Sequence, residues 1–67
     1  MTIAKVIEVS SSSSIGLEHA VTDGLKTVGK TVKHLKGAWV NDIKVLTDDV
    51  GNVTEWRVNM RVNFVVE

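Results

Sequence analysis

The chain has 67 residues, no cysteine and equal numbers of acidic and basic side chains. A chain this short forms a single domain, and without cysteine it has neither disulfides nor thiolate ligands for a metal. The balanced charge excludes bulk attraction to nucleic acids or anionic membranes. Because so small a domain buries only about 60% of its unfolded surface, we expect self-association to supply the missing stability.

No apolar run is long enough to cross a bilayer, and the first residues begin a strand pattern rather than a signal peptide. We therefore expect a cytoplasmic protein. The chain lacks a G-x-S-x-G motif, a glycine-rich phosphate loop and a Cys/His pair. A run of serines without a positioned base is not a nucleophile. We expect one domain over residues 1–67 that is not an enzyme.

Two elements are predicted in the first half of the chain. Residues 2–10 alternate and are rich in β-branched side chains, which predicts a strand. The serine run that follows suits a flexible linker or a helix N-cap, and the amphipathic pattern directly after it favours a cap at Ser13 or Ser14. Apolar steps of three and four over residues 17–35 predict a helix of about five turns. Gly24 lies on its apolar side, which predicts close approach to a sheet.

The second half of the chain is predicted to form a hairpin. Gly37 either ends the helical region or begins the next strand, which covers residues 38–47 and is apolar on both sides. Residues 48–52 form a turn containing glycine and asparagine, and residues 53–66 form a long strand. From Trp56 onward its even positions are apolar and its odd positions are polar, namely Arg57, Asn59, Arg61 and Asn63.

The predicted order is therefore β-α-β-β, an α+β fold. A third strand that inserts between the first two gives a three-stranded antiparallel sheet packed on one helix. The single helix covers the even face of the last strand and leaves its polar face bare, and the sheet keeps unpaired edges. Both features indicate self-assembly.

This order and several segments resemble the dodecin family. The resemblance lies in A-K-V-I-E-V-S-S-S-S at the first strand, L-E-H-A-V-T-D-G-L in the helix, H-L-K-G-A-W-V-N-D-I at the second strand and W-R-V-N-M-R-V-N-F-V-V-E at the end. It implies a hollow homododecamer that binds flavins such as riboflavin, FMN or lumichrome as aromatic pairs between subunits. The implied role is flavin storage and sequestration, with quenching of flavin photochemistry.

The chain departs from the family pattern at two positions. In flavin-binding members a tryptophan that begins the second strand stacks on the flavin ring, and that position is Gly37 here, with Trp39 two residues later. Since positions 37 and 39 share a strand face, Trp39 can lean into the space beside Gly37. A family glutamine that hydrogen-bonds the flavin edge falls at Arg57, which donates but cannot accept. The acidic position farther along the second strand is kept as Asp42.

Trp39, Gly37, Asp42 and Arg57 are thus the candidate flavin-binding residues, and no metal ligands are assigned. Alternatives remain at each of them. Trp39 is either a stacking platform or an anchor between subunits. The arginines of the last strand bind a flavin phosphate or another anion, or they pair with acids of a neighbouring subunit. The alternative function is a dodecin-like assembly that has lost flavin and holds an anion, a cation such as calcium, or nothing.

Two further groups have ordinary structural explanations. Asp48 and Asp49 lie in the predicted turn, where turn hydrogen bonding competes with cation binding as their role. The two histidines, His19 and His34, lie on or near the helix, and we expect both to be solvated.

Overall fold

The structure is a computed structural model that describes residues 2–66. Positions 1 and 67 of the predicted domain lie outside the described residues. The elements are β1 (Ile3–Ser13), α1 (Leu17–Gly29), β2 (Leu35–Thr47) and β3 (Val53–Val66). The β-α-β-β order is as predicted.

The three strands form one sheet in the order β1-β3-β2, and β3 is antiparallel to both of its neighbours. The helix carries the chain from β1 to β2 without pairing them, and the hairpin then folds β3 into the gap. The predicted insertion of the last strand is confirmed.

The core lies between α1 and the even positions of β3. Val58, Met60 and Val62 are buried together with Ala20 of α1. Strict alternation produces this arrangement, because successive side chains of a strand point to opposite faces. We call the side under the helix the covered face. Partly buried residues of β1, α1 and β2 pack around this core, namely Ile7, Val9, Val21, Leu25, Val28, Leu35 and Ala38.

Gly24 allows the helix to lie against β1. A Cβ atom built at this position would lie 2.8 Å from both the Cβ and the Oγ of Ser11, and 3.2 Å from the Cε of Met60. The Ser11 hydroxyl donates a hydrogen bond to the carbonyl oxygen of Ala20 at 2.7 Å. The close approach predicted from the position of Gly24 is confirmed.

The helix is shorter than predicted. It ends at Gly29 rather than near Leu35, and Lys30 and Thr31 close its last turn with hydrogen bonds to carbonyls of residues 27 and 28. Leu35 pairs with Phe64 as the first residue of β2, so Gly37 lies inside a strand. The apolar steps of three and four continue beyond the helix because Leu35 reaches the same core from β2.

The serine run also differs from the prediction. Residues up to Ser13 belong to β1, because the length of β3 extends the ladder to the pair Ser13–Trp56. Gly16 precedes the helix, and no side chain caps it. The Ser13 hydroxyl instead accepts the N–H of Ile15 at 3.0 Å and hydrogen-bonds the Nδ1 of His19 at 2.8 Å. The serine therefore fixes the turn before the helix. His19 and His34 are both exposed.

The single chain is more elongated than a compact domain with the same number of residues. Its radius of gyration is 13.9 Å and its extents are 53 × 19 × 13 Å, whereas a compact chain of this length has a radius near ~11 Å. Three apolar residues of β2 lie on the covered face but are not buried by the helix and stay exposed, namely Val40, Ile43 and Val45. Among the described helices, none is long and apolar enough to cross a membrane.

Candidate functional site

The second side of the sheet, which we call the open face, carries the odd positions of β3. Residues directly opposite each other in neighbouring strands share a face, so four rows cross it, each with one residue from every strand. In order along the sheet the rows are Val6–Asn63–Gly37, Glu8–Arg61–Trp39, Ser10–Asn59–Asp42 and Ser12–Arg57–Lys44. The central residues Arg57, Asn59 and Arg61 are exposed.

Trp39 is the largest side chain of the open face. It is 59% exposed although it sits within a β-strand, and Arg61 lies opposite it on β3. A groove of about 650 Å³ runs beside it, lined by Val6, Trp39, Val40, Asn41 and Arg61. We call this the Trp39 groove. An exposed indole beside an open groove is suited to stacking on a planar ligand.

Gly37 lies one row from Trp39 on the same face, as the alternation predicts. A Cβ atom at this position would lie 3.4 Å from the Oδ1 of Asn63, which is an ordinary contact. The backbone therefore does not require glycine here. Its effect is to leave the row next to Trp39 without a side chain from β2.

Asp42 reaches the open face because of an irregularity in β2. The register shifts between Val40 and Asp42, so Val40 pairs with Met60 on the covered face while Asp42 pairs with Asn59 on the open face. Regular alternation would have turned Asp42 toward the helix side. It lines a second groove of about 360 Å³ together with Glu8, Ser10, Asn59 and Arg61, among others. We call this the polar groove.

Arg57 is separated from the other predicted residues. It lies opposite Lys44, and its Nε donates to the Oε2 of Glu55 at 2.9 Å. Arg57 and Arg61 are four residue steps apart along β3, or about 13 Å at the usual rise per residue. Within one chain the fold places Gly37, Trp39 and Asp42 on three consecutive rows, and Arg57 on the fourth, next to Asp42 but two rows from Trp39.

The charged groups beside Trp39 are Arg61 and, next to it, Glu8. The Nε of Arg61 lies 3.4 Å from the Oε1 of Glu8 across the β1–β3 ladder. Alternation showed that Arg61 and Arg57 share a face, but only the pairing register shows which of them meets the indole. The sequence alone does not identify Glu8 as a candidate site residue, because nothing in β1 indicates that it lies beside Arg61.

Among residues 2–66 of the single chain, no group of three or more His, Asp or Glu side chains could hold a metal ion. The carboxylate of Asp48 accepts hydrogen bonds from the backbone N–H groups of Val50 and Asn52 and from the Asn52 side chain. These bonds, chiefly those from Asn52, hold the pKa of Asp48 below its ordinary value of 3.8. Its role is turn formation.

Comparisons with known proteins agree with this architecture. Residues 3–67 match the family described as Dodecin. A mutant form of the dodecin from Thermus thermophilus is 31% identical with a TM-score of 0.91, covering 100% of this chain and 98% of that one. This chain therefore belongs to the dodecin family. No curated protein matches it.

Two more distant structures share the fold. The dodecin from Streptomyces davaonensis is 23% identical with a TM-score of 0.90, covering 98% of this chain and 96% of that one. A calcium-chelating antigen from Mycobacterium tuberculosis, called calcium dodecin, is 22% identical with a TM-score of 0.80, covering 97% of this chain and 91% of that one. Family and fold together support a dodecin-like small-molecule binding protein whose homologues are oligomeric assemblies. The family is one of binding proteins rather than enzymes.

Proposed function

We propose that this protein stores and sequesters a flavin, riboflavin or FMN, in a homo-oligomeric cage, most simply a dodecamer. Trp39 is the stacking platform, the space beside Gly37 admits the ring, and Asp42 is a polar neighbour. Arg57 contributes from another copy. The observation that carries the proposal is the exposed indole of Trp39 in its groove on the open face.

The elongated shape of the chain supports the assembly. Val40, Ile43 and Val45 are 44%, 57% and 44% exposed on β2, beyond the residues Leu35 and Ala38 that pack against the core. Contiguous apolar surface of this kind is typical of protein interfaces. A second copy placed against β2 would bury this apolar surface and pair with the free edge of β2. An unpaired edge strand can otherwise pair non-specifically with other chains.

The test is a fluorescence titration of riboflavin and of FMN with the purified assembly. Stacking on Trp39 should quench flavin emission, with a break at a fixed number of flavins per chain. The variant Trp39→Ala should abolish this quenching while size-exclusion chromatography shows an unchanged assembly. Trp56→Phe is the control, because Trp56 pairs with Val45 and lies away from the open face. Unchanged affinity in Trp39→Ala would exclude the assigned role.

The second candidate is a dodecin-like assembly without flavin, and the specific observation in its favour is Gly37 at the position of the family's stacking tryptophan. If this candidate is correct, the protein neither quenches flavin fluorescence nor melts at a higher temperature when flavin is added. A ligand that binds only the folded state would raise the melting temperature. The variant Gly37→Trp separates the two candidates, since a Cβ atom at this position would make only an ordinary contact with Asn63. Flavin binding that appears only in this variant would favour the second candidate.

A further inference from the structure

Arg61 stands between two grooves of different charge. It is the one charged residue among those lining the Trp39 groove, whereas the polar groove on its other side is also lined by Glu8 and Asp42. The lining of the Trp39 groove therefore presents a single charged group from this chain, and that group is a cation. The two carboxylates face the neighbouring groove.

The contact between Arg61 and Glu8 is loose. The Nε–Oε1 distance is 3.4 Å, and the two side chains are 55% and 80% exposed. Ion pairs this exposed contribute little to stability, because water and salt screen them. A guanidinium group also has five N–H donors in a planar fork that suits the oxygens of a phosphate or carboxylate. Arg61 can therefore exchange Glu8 for an anionic group of a ligand at small cost.

We propose that the Glu8–Arg61 pair selects the charge of the ligand: Arg61 binds an anionic group of the planar molecule stacked on Trp39, and Glu8 competes with that group. The inference rests on the proposed function and specifies its ligand class. The ligand is a planar aromatic molecule that carries a phosphate or carboxylate group, and among flavins FMN is preferred to riboflavin.

The register assigns this role to Arg61 rather than to Arg57. Arg61 lies directly opposite Trp39, whereas Arg57 lies two rows away and donates its Nε to Glu55 at 2.9 Å. The shorter contact holds Arg57 more firmly to its own carboxylate. An anionic group attached to a ring on Trp39 meets Arg61 first.

The experiment measures the ratio of the FMN and riboflavin affinities by fluorescence titration of the intact assembly. In the wild type we expect FMN to bind about threefold to tenfold more tightly, a range that lies between exposed ion pairs and charge-assisted hydrogen bonds. Arg61→Gln should bring the ratio close to one. Arg61→Lys keeps the charge without the planar fork and should keep part of the preference. Glu8→Gln removes the competitor and should raise the ratio about twofold or more.

Two controls separate this role from bulk charge and from a direct effect of Glu8 on the ligand. Lys30→Gln removes one positive charge at the exposed end of α1 and should leave the ratio as in the wild type. Glu8→Gln combined with Arg61→Gln should match Arg61→Gln alone, since Glu8 acts only through Arg61. Raising the salt concentration should lower the ratio in the wild type and leave it unchanged in Arg61→Gln.

The outcomes distinguish the inference from the function on which it rests. If neither flavin binds the wild type, the proposed function fails and the inference fails with it. If both flavins bind with a ratio near one, or if Arg61→Gln keeps the preference, only the inference is overturned. A preference that disappears in Arg57→Gln instead would place the anion two rows away and would also overturn it.

Discussion

On one face of β3, Val58, Met60 and Val62 are 0%, 1% and 0% exposed beneath α1, whereas on the other face Arg57 and Arg61 remain in solvent. The two faces belong to the same backbone and alternate residue by residue. A single chain completes the covered face, since one helix supplies its packing partner. It leaves the open face to a ligand or to further copies of the chain.

The difference separates two kinds of constraint on the sequence. The covered face is restricted by volume, because a close-packed interior tolerates neither cavities nor extra atoms. The open face is restricted by chemistry and register, because each side chain must lie in the correct row to meet a ligand. The following predictions test whether the two faces are as different as they look.

The largest effect is expected at Met60 on the covered face. Met60→Ala should lower the free energy of unfolding by about 2–5 kcal/mol, because it leaves a cavity between α1 and β3. The adjacent variant Asn59→Ala lies on the open face and should change it by no more than about 0.5 kcal/mol. Chemical denaturation of both variants measures the contrast. An equal cost at Asn59 would mean that assembly packs the open face as tightly as the covered one.

A smaller effect is expected where α1 touches β1. Alanine normally stabilises a helix relative to glycine by about 1 kcal/mol. Gly24→Ala should instead destabilise the protein by about 1–3 kcal/mol, because its Cβ would overlap Ser11. Gly29→Ala is the matched control, since its Cβ would meet only the Cδ1 of Leu35 at 3.5 Å. This control should be neutral or stabilising in the same thermal melt.

Adding Ser11→Gly to Gly24→Ala removes the two closest atoms that the new Cβ meets, the Cβ and Oγ of Ser11, and leaves the Cε of Met60 at 3.2 Å. It should therefore recover part of the stability lost by Gly24→Ala, even though it also removes the hydrogen bond to the Ala20 carbonyl. If Gly24→Ala raised the melting temperature as Gly29→Ala does, the helix would not be held to the sheet as closely as the structure shows.

The sequence was sufficient for the covered face and for the fold. Strict alternation from Trp56 onward indicated which side of β3 is buried, and helical spacing indicated what covers it. The predictions failed at boundaries, where tertiary contacts override local preference. Ser13 has the preferences of an N-cap but pairs with Trp56 in the ladder, and Leu35 keeps a helical spacing but belongs to β2.

The candidate site was only partly predictable. Alternation places Gly37 and Trp39 on one face without knowledge of the neighbouring strands. It cannot show that Trp39 meets Arg61 rather than Arg57, because that depends on register across the hairpin. Asp42 reaches the open face only through a register shift that no local pattern reveals. The binding roles of Trp39, Gly37, Asp42 and Arg57 stay predictions.

The smallest effect is expected at the hairpin turn, which fixes the register and therefore decides which residues share a face. Hydrogen bonds from Asn52 and the backbone hold the pKa of Asp48 below its ordinary value of 3.8, so its charged form favours the folded state. This contribution to stability is fully present at neutral pH. It begins to decrease as the pH falls below about 4, and it is lost once the pH has passed through the lowered pKa of the folded state.

We therefore expect Asp48→Asn to melt slightly below the wild type at neutral pH, with the gap closing as the pH falls from about 4 toward 2. The control Asp49→Asn removes the neighbouring charge without changing the hydrogen bonds to Asp48. Thermal melts across this pH range measure the gap for both variants. A constant gap for Asp48→Asn would mean that the charge of Asp48 does not stabilise the turn. The register would then depend on strand pairing and on Gly51, whose φ of 91° suits the turn.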